Sequence, residues 1–258
     1  MPLAYQEEGK GNVVVLIHGF CEDKSVWSAI SKELSSQYRV IAIDLPGFGN
    51  SGVPQHENMT IKEMAREVHE LLSSLNLERY IMIGHSLGGY VTLAYADLHP
   101  ERLAGMGLFH SSAYADTQPK RENRDKVIRF VKEHGTTPFI KGFFSGLFAE
   151  SNRNKCRDVI TALTEKANAI DPEGIIMATR AMRDREESID VLENANYPIL
   201  FVIGKEDPAV EFNASMKQCQ LPSDAVIHLY DNVGHMGMFE RPEATRIAVV
   251  NFANYCYK

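Results

Sequence analysis

The chain has 258 residues, of which 44% are hydrophobic and 24% are charged, proportions ordinary for a globular protein of one large or two small domains. Its formal net charge of −7 argues against nucleic acid or an anionic membrane as the main partner. No apolar run approaches the roughly 18 residues of a transmembrane helix, so we expect no membrane insertion.

The N-terminus and the cysteines bear on the compartment. The first eight residues contain no basic region followed by an apolar stretch, so no signal peptide is expected. The four cysteines are scattered, without a Cys-x-x-Cys pair or a histidine spacing that would bind zinc. We therefore predict reduced thiols, no metal site and a cytoplasmic location.

Short apolar runs rich in β-branched residues alternate along the chain with longer amphipathic segments. The predicted strands are Leu3–Gln6, Val13–Ile17, Arg39–Ile43, Tyr80–Ile83, Leu103–Phe109, Ile199–Ile203 and Ala225–Tyr230. The predicted helices lie at about Trp27–Leu34, Thr60–Leu75, Ser86–Leu98, Glu211–Cys219 and Pro242–Tyr255. The second and sixth strands are apolar throughout, as in strands buried on both faces. This alternation predicts an α/β fold with a doubly wound, mostly parallel sheet.

The alternation stops between about residues 115 and 194, where only helical patterns occur. An all-helical insertion between two strands predicts a cap, or lid, over a core made of residues 1–114 and 195–258. Within the insertion, several apolar residues fall on one helical face: Phe139, Ile140, Phe143, Phe144, Leu147 and Phe148. This face is either the core of a helical subdomain or, in part, the lining of an apolar substrate pocket.

The segment Gly84-His85-Ser86-Leu87-Gly88-Gly89 stands between a predicted strand and a predicted helix. Gly-x-Ser-x-Gly at such a junction is typical of a nucleophile elbow, in which the serine has strained backbone angles and projects above the sheet. The alternative is a glycine-rich turn with an ordinary surface serine. As an elbow, it makes Ser86 a nucleophile and aims the N–H of Leu87 at the group under attack.

Three other strand ends contain groups that such a serine would need. The loop after the second strand offers the backbone N–H of Phe20 as a second oxyanion donor, unless it is a simple glycine turn. Asp207 follows the sixth strand and is the candidate acid, with Glu206 as its chief rival and Asp231 as the other alternative. His235 follows the last strand and is the candidate base. The order Ser86, Asp207, His235 is the one expected for this architecture.

The loop Gly47-Phe48-Gly49-Asn50-Ser51-Gly52 has the spacing of a dinucleotide-binding fingerprint. That fingerprint needs a helix that begins at the glycines, and an acid at the end of the next strand. Here Val53-Pro54 follows, and no helical pattern begins before Thr60. We therefore expect no nucleotide there, and we expect Asp44 to tie down loops beside the site.

Taken together and in this order, five segments resemble the α/β-hydrolase superfamily, nearly from end to end. They are His18-Gly19-Phe20, Asp44 to Ser51, Gly84 to Gly89, Gly204 to Asp207, and Gly234-His235. The resemblance implies that Ser86, Asp207 and His235 are a catalytic triad, that no cofactor is needed, and that a helical cap shapes the substrate site. Many relatives begin with a longer hairpin, so one edge strand should be missing here.

The chemistry that this resemblance implies is acyl transfer to water, and we predict a carboxylesterase acting on a small apolar ester. Serine at the elbow disfavours the relatives that attack with a carboxylate, such as dehalogenases and epoxide hydrolases. A thioesterase, a C–C bond hydrolase or a perhydrolase would use the same residues, and a ligand-sensing receptor is the non-enzymatic alternative. The candidate pocket residues are Phe139, Phe143, Phe144, Phe148 and Met236.

Overall fold

The computed structural model describes residues 2–54 and 59–258. Its sheet contains β1 (Tyr5–Glu8), β2 (Val13–Ile17), β3 (Arg39–Ile43), β4 (Tyr80–His85), β5 (Leu103–Phe109), β6 (Ile199–Gly204) and β7 (Ala225–Tyr230). The strand order is β1-β3-β2-β4-β5-β6-β7, and every neighbouring pair is parallel except β1 with β3. The predicted doubly wound, mostly parallel sheet is confirmed.

Six helices belong to the parts of the chain that form the sheet: α1 (Ser28–Leu34), α2 (Ile61–Ser74), α3 (Leu87–Leu98), α10 (Phe212–Gln218), α11 (Gly237–Glu240) and α12 (Pro242–Cys256). Six more follow β5 and precede β6: α4 (Gln118–His134), α5 (Thr136–Ile140), α6 (Phe143–Leu147), α7 (Arg157–Ala167), α8 (Pro172–Asp184) and α9 (Ile189–Glu193). Single 3₁₀ turns lie at Lys24–Trp27, Pro100–Arg102 and Glu150–Asn152. Among the described residues, no helix is long and apolar enough to cross a bilayer.

The centre of the sheet is covered on both faces. Every residue of β2, β4, β5 and β6 is buried, which explains their nearly unbroken apolar sequences. At one edge, β7 leaves Ile227 and Leu229 exposed. Because the central strands are parallel, their carboxyl ends lie along one edge of the sheet, where ligand sites of open α/β sheets are found.

The first strand begins two residues later than predicted. Leu3 is buried, but it precedes the antiparallel ladder, which starts where Tyr5 pairs with Ile43. The side chains of β1 are mostly exposed, so backbone pairing at the sheet edge, not apolar burial, defines this strand. Within the described residues nothing pairs with the outer edge of β1, in line with the short hairpin expected from the sequence.

The segment between β5 and β6, all of which is described, contains helices and no strand. Its two longest helices, α4 and α8, pack against each other. The prediction of one continuous helical face from Phe139 to Phe148 is wrong, because the chain breaks between α5 and α6. Gly142 has φ +85°, a left-handed conformation that glycine adopts without strain, and it caps the start of α6.

Candidate functional site

Ser86 lies at the sharp turn between β4 and α3. Its backbone angles are φ +49° and ψ −112°, strained values for a residue with a side chain. The turn needs its glycines: a Cβ on Gly84 would lie 2.1 Å from the carbonyl oxygen of Gly88. The Ser86 N–H donates to the Phe109 carbonyl at 3.0 Å, and the Ser111 hydroxyl donates to the Ser86 carbonyl at 2.7 Å. The end of β5 thus fixes the geometry predicted for an elbow.

The predicted acid and base are in contact. Nδ1 of His235 lies 2.8 Å from Oδ2 and 3.0 Å from Oδ1 of Asp207, and both side chains are 3% exposed. The backbone N–H groups of Ala209 and Val210 donate to Oδ1 at 2.8 and 2.9 Å. Burial acts to raise the pKa of Asp207, but the charge of His235 and hydrogen bonds from neighbouring imidazoles hold it well below its usual range. Asp207 is therefore an ionised acceptor that can orient His235.

The two rival carboxylates make no such contact. Glu206 is exposed, and Asp231 is exposed and forms an ion pair with Lys205 at 2.7 Å. Of the three acids considered, only Asp207 turns inward to His235.

Sequence reasoning missed a second histidine at this carboxylate. Nδ1 of His110 lies 3.1 Å from Oδ2 of Asp207, and the ring is fully buried. The available signal was position, because His110 directly follows β5 at the same edge of the sheet. Together with His235 these groups offer ligand atoms within 4.8 Å of one another, the one potential metal cluster among the described residues. Since the Nδ1 atoms of both histidines already bind Asp207, this arrangement is a hydrogen-bonded cluster and not a preformed set of ligands.

Two backbone N–H groups are available near the elbow as oxyanion donors. Leu87 is the first residue of α3, where N–H groups have no acceptor within their own helix. Within residues 2–54 and 59–258, neither the N–H of Leu87 nor that of Phe20 donates to a protein group. Both predicted donors are therefore unused by the fold.

A buried ion pair fixes the loop that contains Phe20. Oε2 of Glu22 accepts the N–H of Gly19 at 2.7 Å and lies 2.9 Å from Nδ1 of His85. The other ring nitrogen, Nε2, lies 3.0 Å from the backbone carbonyl of His235. Burial acts to lower the pKa of His85, but the adjacent carboxylate outweighs it and raises that pKa, while His85 in turn keeps the pKa of Glu22 low against the effect of burial. This pair connects the predicted oxyanion loop, the elbow and the loop of the predicted base.

The helical insertion also contacts the loop of the predicted base. The backbone N–H of His235 donates to the Leu147 carbonyl at 2.8 Å. The buried Glu240 carboxylate joins the same two regions through four N–H donors. It accepts from Gly234, Met236, Ala149 and the side chain of Asn152 at 2.8–3.2 Å. The insertion is thus hydrogen-bonded to the backbone that positions His235.

The predicted pocket residues divide into two groups. Phe144, Phe148 and Met236 are 0%, 1% and 0% exposed, so they serve as core in this structure. Phe139 and Phe143 are half-buried, and their rings lie 6.2 and 5.8 Å from the ring of Phe20 on the predicted oxyanion loop. These two remain candidates for contact with a substrate.

A cavity of about 690 Å³ lies on another side of the insertion, between α8 and the core helices α2 and α3. Its wall includes Tyr90, Met177 and Arg185, and also Ser112, which neighbours the Ser111 that contacts the elbow. None of the predicted catalytic or pocket residues lines it. The predicted catalytic residues and this cavity are therefore separate in the structure, although Ser112 in the cavity wall is next to Ser111 in the sequence.

Comparisons with known proteins agree with this architecture. A family model described as the alpha/beta hydrolase fold matches residues 12–114. A thermophilic esterase from Thermogutta terrifontis has a similar structure, with a TM-score of 0.94 and 29% identity over 99% of this chain and 94% of that one.

Several curated relatives are named as hydrolases or dehalogenases. The 2-hydroxy-6-oxo-6-(2'-aminophenyl)hexa-2,4-dienoic acid hydrolase of Metapseudomonas resinovorans is 25% identical over 96% of this chain and 86% of its own length. A fluoroacetate dehalogenase from Burkholderia is 32% identical, but over only 48% of this chain and 40% of its own. Because sequence and structure agree over nearly the whole chain, we conclude that it belongs to the α/β-hydrolase superfamily.

Proposed function

We propose that this protein is a serine hydrolase that cleaves a small apolar ester through an acyl-enzyme, with Ser86 as nucleophile, His235 as base and Asp207 as the acid that orients it. The observation that carries the proposal is the contact between Asp207 and His235, at the same sheet edge as a serine with φ +49°. Relatives that are hydrolases support this class of reaction.

In the first half of the proposed reaction, His235 removes the proton from the Ser86 hydroxyl while its oxygen attacks the ester carbonyl carbon. The carbonyl oxygen becomes an oxyanion, which the N–H groups of Phe20 and Leu87 stabilise by roughly 3–4 kcal/mol each, if they act as such donors do elsewhere. The C–O bond to the alcohol then breaks. His235 gives its proton to the leaving alcohol, and an acyl group remains on Ser86.

In the second half, His235 removes a proton from water, whose oxygen attacks the acyl carbon. The ester bond to Ser86 breaks, and the proton returns to the serine oxygen. Throughout, Asp207 keeps Nδ1 of His235 protonated, so that Nε2 is the nitrogen that exchanges protons.

In this proposal the insertion, residues 115–194, is a cap that selects the substrate. Phe139 and Phe143 support an apolar specificity, because their half-buried rings lie against Phe20. The reaction is proposed for a cytoplasmic enzyme that needs no cofactor and whose partner is its small-molecule substrate.

A panel of p-nitrophenyl esters, from acetate to octanoate, tests the proposed activity. We expect turnover that rises with chain length and then falls when the pocket is full, and that disappears in Ser86→Ala. Saturable binding of esters without release of p-nitrophenol would indicate a ligand-sensing protein instead.

C–C bond hydrolysis is the second candidate, because the match to a dienoic acid hydrolase extends over 96% of this chain. A 2-hydroxy-6-oxo-dienoate distinguishes the two. Faster cleavage of that substrate than of any ester in the panel would favour the second candidate, with the same three residues required.

A further inference from the structure

Asp207 is held by two imidazoles, and only one of them has a role in the proposed reaction. We propose that His110 is a positioning residue, which donates its Nδ1–H to Asp207, fixes the carboxylate and moderates its attraction for the proton on His235. This inference rests on the proposed function, since it assigns His110 a part in the same reaction.

The backbone aims His110 at the carboxylate. The residue follows β5 directly and has φ +48°, an uncommon conformation for a residue with a side chain. Its N–H still donates to the Val202 carbonyl of the neighbouring strand at 2.9 Å. That bond holds the turned residue beside the end of β6, where Asp207 lies. Strained backbone of this kind is concentrated at functional sites.

The two ring nitrogens of His110 have unequal surroundings. Nδ1 lies 3.1 Å from Asp207, whereas Nε2 is buried and has no hydrogen-bond partner in the described part of the chain. Nε2 points at Gly237, where an added Cβ would lie only 2.3 Å away. Burial lowers the pKa of His110, although Asp207 acts to raise it. A neutral ring with its single proton on Nδ1 fits these surroundings. Nδ1 then donates to Asp207, and Nε2 has no N–H that would be buried without an acceptor.

The second donor changes how strongly Asp207 attracts a proton. A carboxylate that shares its charge among several N–H groups is a weaker partner for each of them. Other charged groups face the same cluster. The His85 ring, paired with Glu22, has its centroid 4.9 Å from that of His235 and 6.2 Å from that of His110. On the outer side, Nζ of Lys120 lies 3.2 Å from the Ala209 carbonyl.

Loss of the His110 donor should therefore strengthen the Asp207–His235 attraction and move the acid limb of the pH–rate profile to higher pH. His110→Phe removes the donor and retains a ring. His110→Asn retains a short side chain with an N–H and tolerates positive φ. We compare kcat/KM for p-nitrophenyl butyrate against pH in wild type and both variants, with thermal melts to confirm folding.

For His110→Phe we expect a loss of kcat of roughly tenfold with little change in KM, the scale of other supporting hydrogen bonds. We also expect the acid limb of the pH profile to move up by roughly 0.5 pH unit or more. His110→Asn should restore the limb toward the wild-type position. A limb that stays in place in a folded His110→Phe protein, or that His110→Asn fails to restore, would overturn the proposal.

A measurement on the wild-type protein tests the proposal even where a variant does not fold. In ¹⁵N-histidine NMR at pH 7, His110 should show the Nδ1–H tautomer, and finding its proton on Nε2 would exclude donation to Asp207. Labelling of wild type with a fluorophosphonate separates this inference from the proposed function. Labelled wild type with an unmoved acid limb rejects the role of His110 alone, whereas an unlabelled and inactive wild type rejects both.

Discussion

The strand ends and the helical insertion are positioned by different kinds of contact. Asp207 and His235 follow β6 and β7, which are paired up to Gly204 beside Tyr230. A backbone ladder therefore sets the distance between the two loops. In the insertion, side-chain packing and a break at Gly142 determine where the phenylalanines point. A sheet makes strand ends predictable from their order along the chain, and an insertion without strands has no such constraint.

The two regions nevertheless meet at one loop. The N–H of His235 is bound by Leu147, and Glu240 binds backbone on both sides of that contact. The insertion therefore either only selects the substrate or also holds the base in place, and the two roles can be separated by experiment.

The largest expected effect is at the strand ends. Ser86→Ala should lower kcat for ester hydrolysis by roughly 10⁴–10⁶-fold, as loss of a nucleophile does in other triads. Ser112→Ala is the control, since it lies near the same sheet edge and has no role in the chemistry. Comparable rates for Ser86→Ala and wild type would show that the elbow is only a turn.

The next effect is at the acid. Asp207→Asn should lower kcat by roughly 10⁴-fold, because an amide favours the wrong tautomer of His235. The matched variants Glu206→Gln and Asp231→Asn should retain most activity, since both side chains are exposed and turned away. If Glu206→Gln or Asp231→Asn lowered kcat/KM on one ester more than Asp207→Asn does, Asp207 would not be the acid that orients His235.

Much of this site could be predicted from the sequence, because a parallel sheet places the loops that follow its strands along one edge. Ser86 directly follows β4, and Asp207 and His235 lie in the loops that follow β6 and β7. Apolar runs mark where these strands end, and parallel strands bring those ends together. His110 also follows a strand, but its importance depends on one hydrogen bond that no motif encodes. The role of Glu240 could not be foreseen, because it comes from backbone donors of two segments far apart in sequence. The division of the phenylalanines into core and half-buried rings likewise depends on tertiary packing.

The buried ion pair of His85 and Glu22 should make the free energy of unfolding depend on pH. The pKa of His85 is raised by folding, so its contribution is fully present below its unfolded value near 6.5 and is lost as pH rises through the folded value. The pKa of Glu22 is lowered, so its contribution is present above its unfolded value near 4.5 and is lost as pH falls through the folded value. The pair should therefore stabilise most between about pH 4.5 and 6.5.

Glu22→Gln tests this window. At pH 5.5 we expect the variant to lose about 1.5–3 kcal/mol of unfolding free energy, the scale of hydrogen bonds to charged groups. At pH 8.5 or above the difference should be smaller. Urea unfolding at both pH values measures it, with the exposed Glu206→Gln as control. An equal difference at the two pH values would contradict a charged pair.

The link between insertion and base is tested at Glu240. In Glu240→Gln, an amide N–H must face at least one of the four donors that the carboxylate now accepts. We expect kcat to fall roughly tenfold while KM changes little, because the substrate pocket is intact and the His235 loop is loosened. Glu243→Gln, an exposed change in the adjoining helix, should match wild type. A change in KM alone would show that the insertion acts only on the substrate.

The smallest effect concerns specificity. Phe139→Ala and Phe143→Ala should shift the preferred acyl chain by a few methylenes, each worth about 0.8 kcal/mol when buried. Phe148→Ala is the contrasting variant, since its ring is 1% exposed and its loss should lower stability without moving the preference. Kinetics on the ester panel and thermal melts separate the two outcomes. An unaltered preference in both half-buried variants would assign these rings to the core.

The most direct test of the account is the site of covalent labelling. Wild-type protein is treated with a fluorophosphonate at pH 8, digested, and the adduct is located by mass spectrometry. We predict a single modified residue, Ser86, with labelling abolished in Ser86→Ala and strongly slowed in Asp207→Asn. An adduct on another serine, or labelling of Ser86 at the same rate in Asp207→Asn, would contradict the proposal that the ends of β4, β6 and β7 together form the catalytic site.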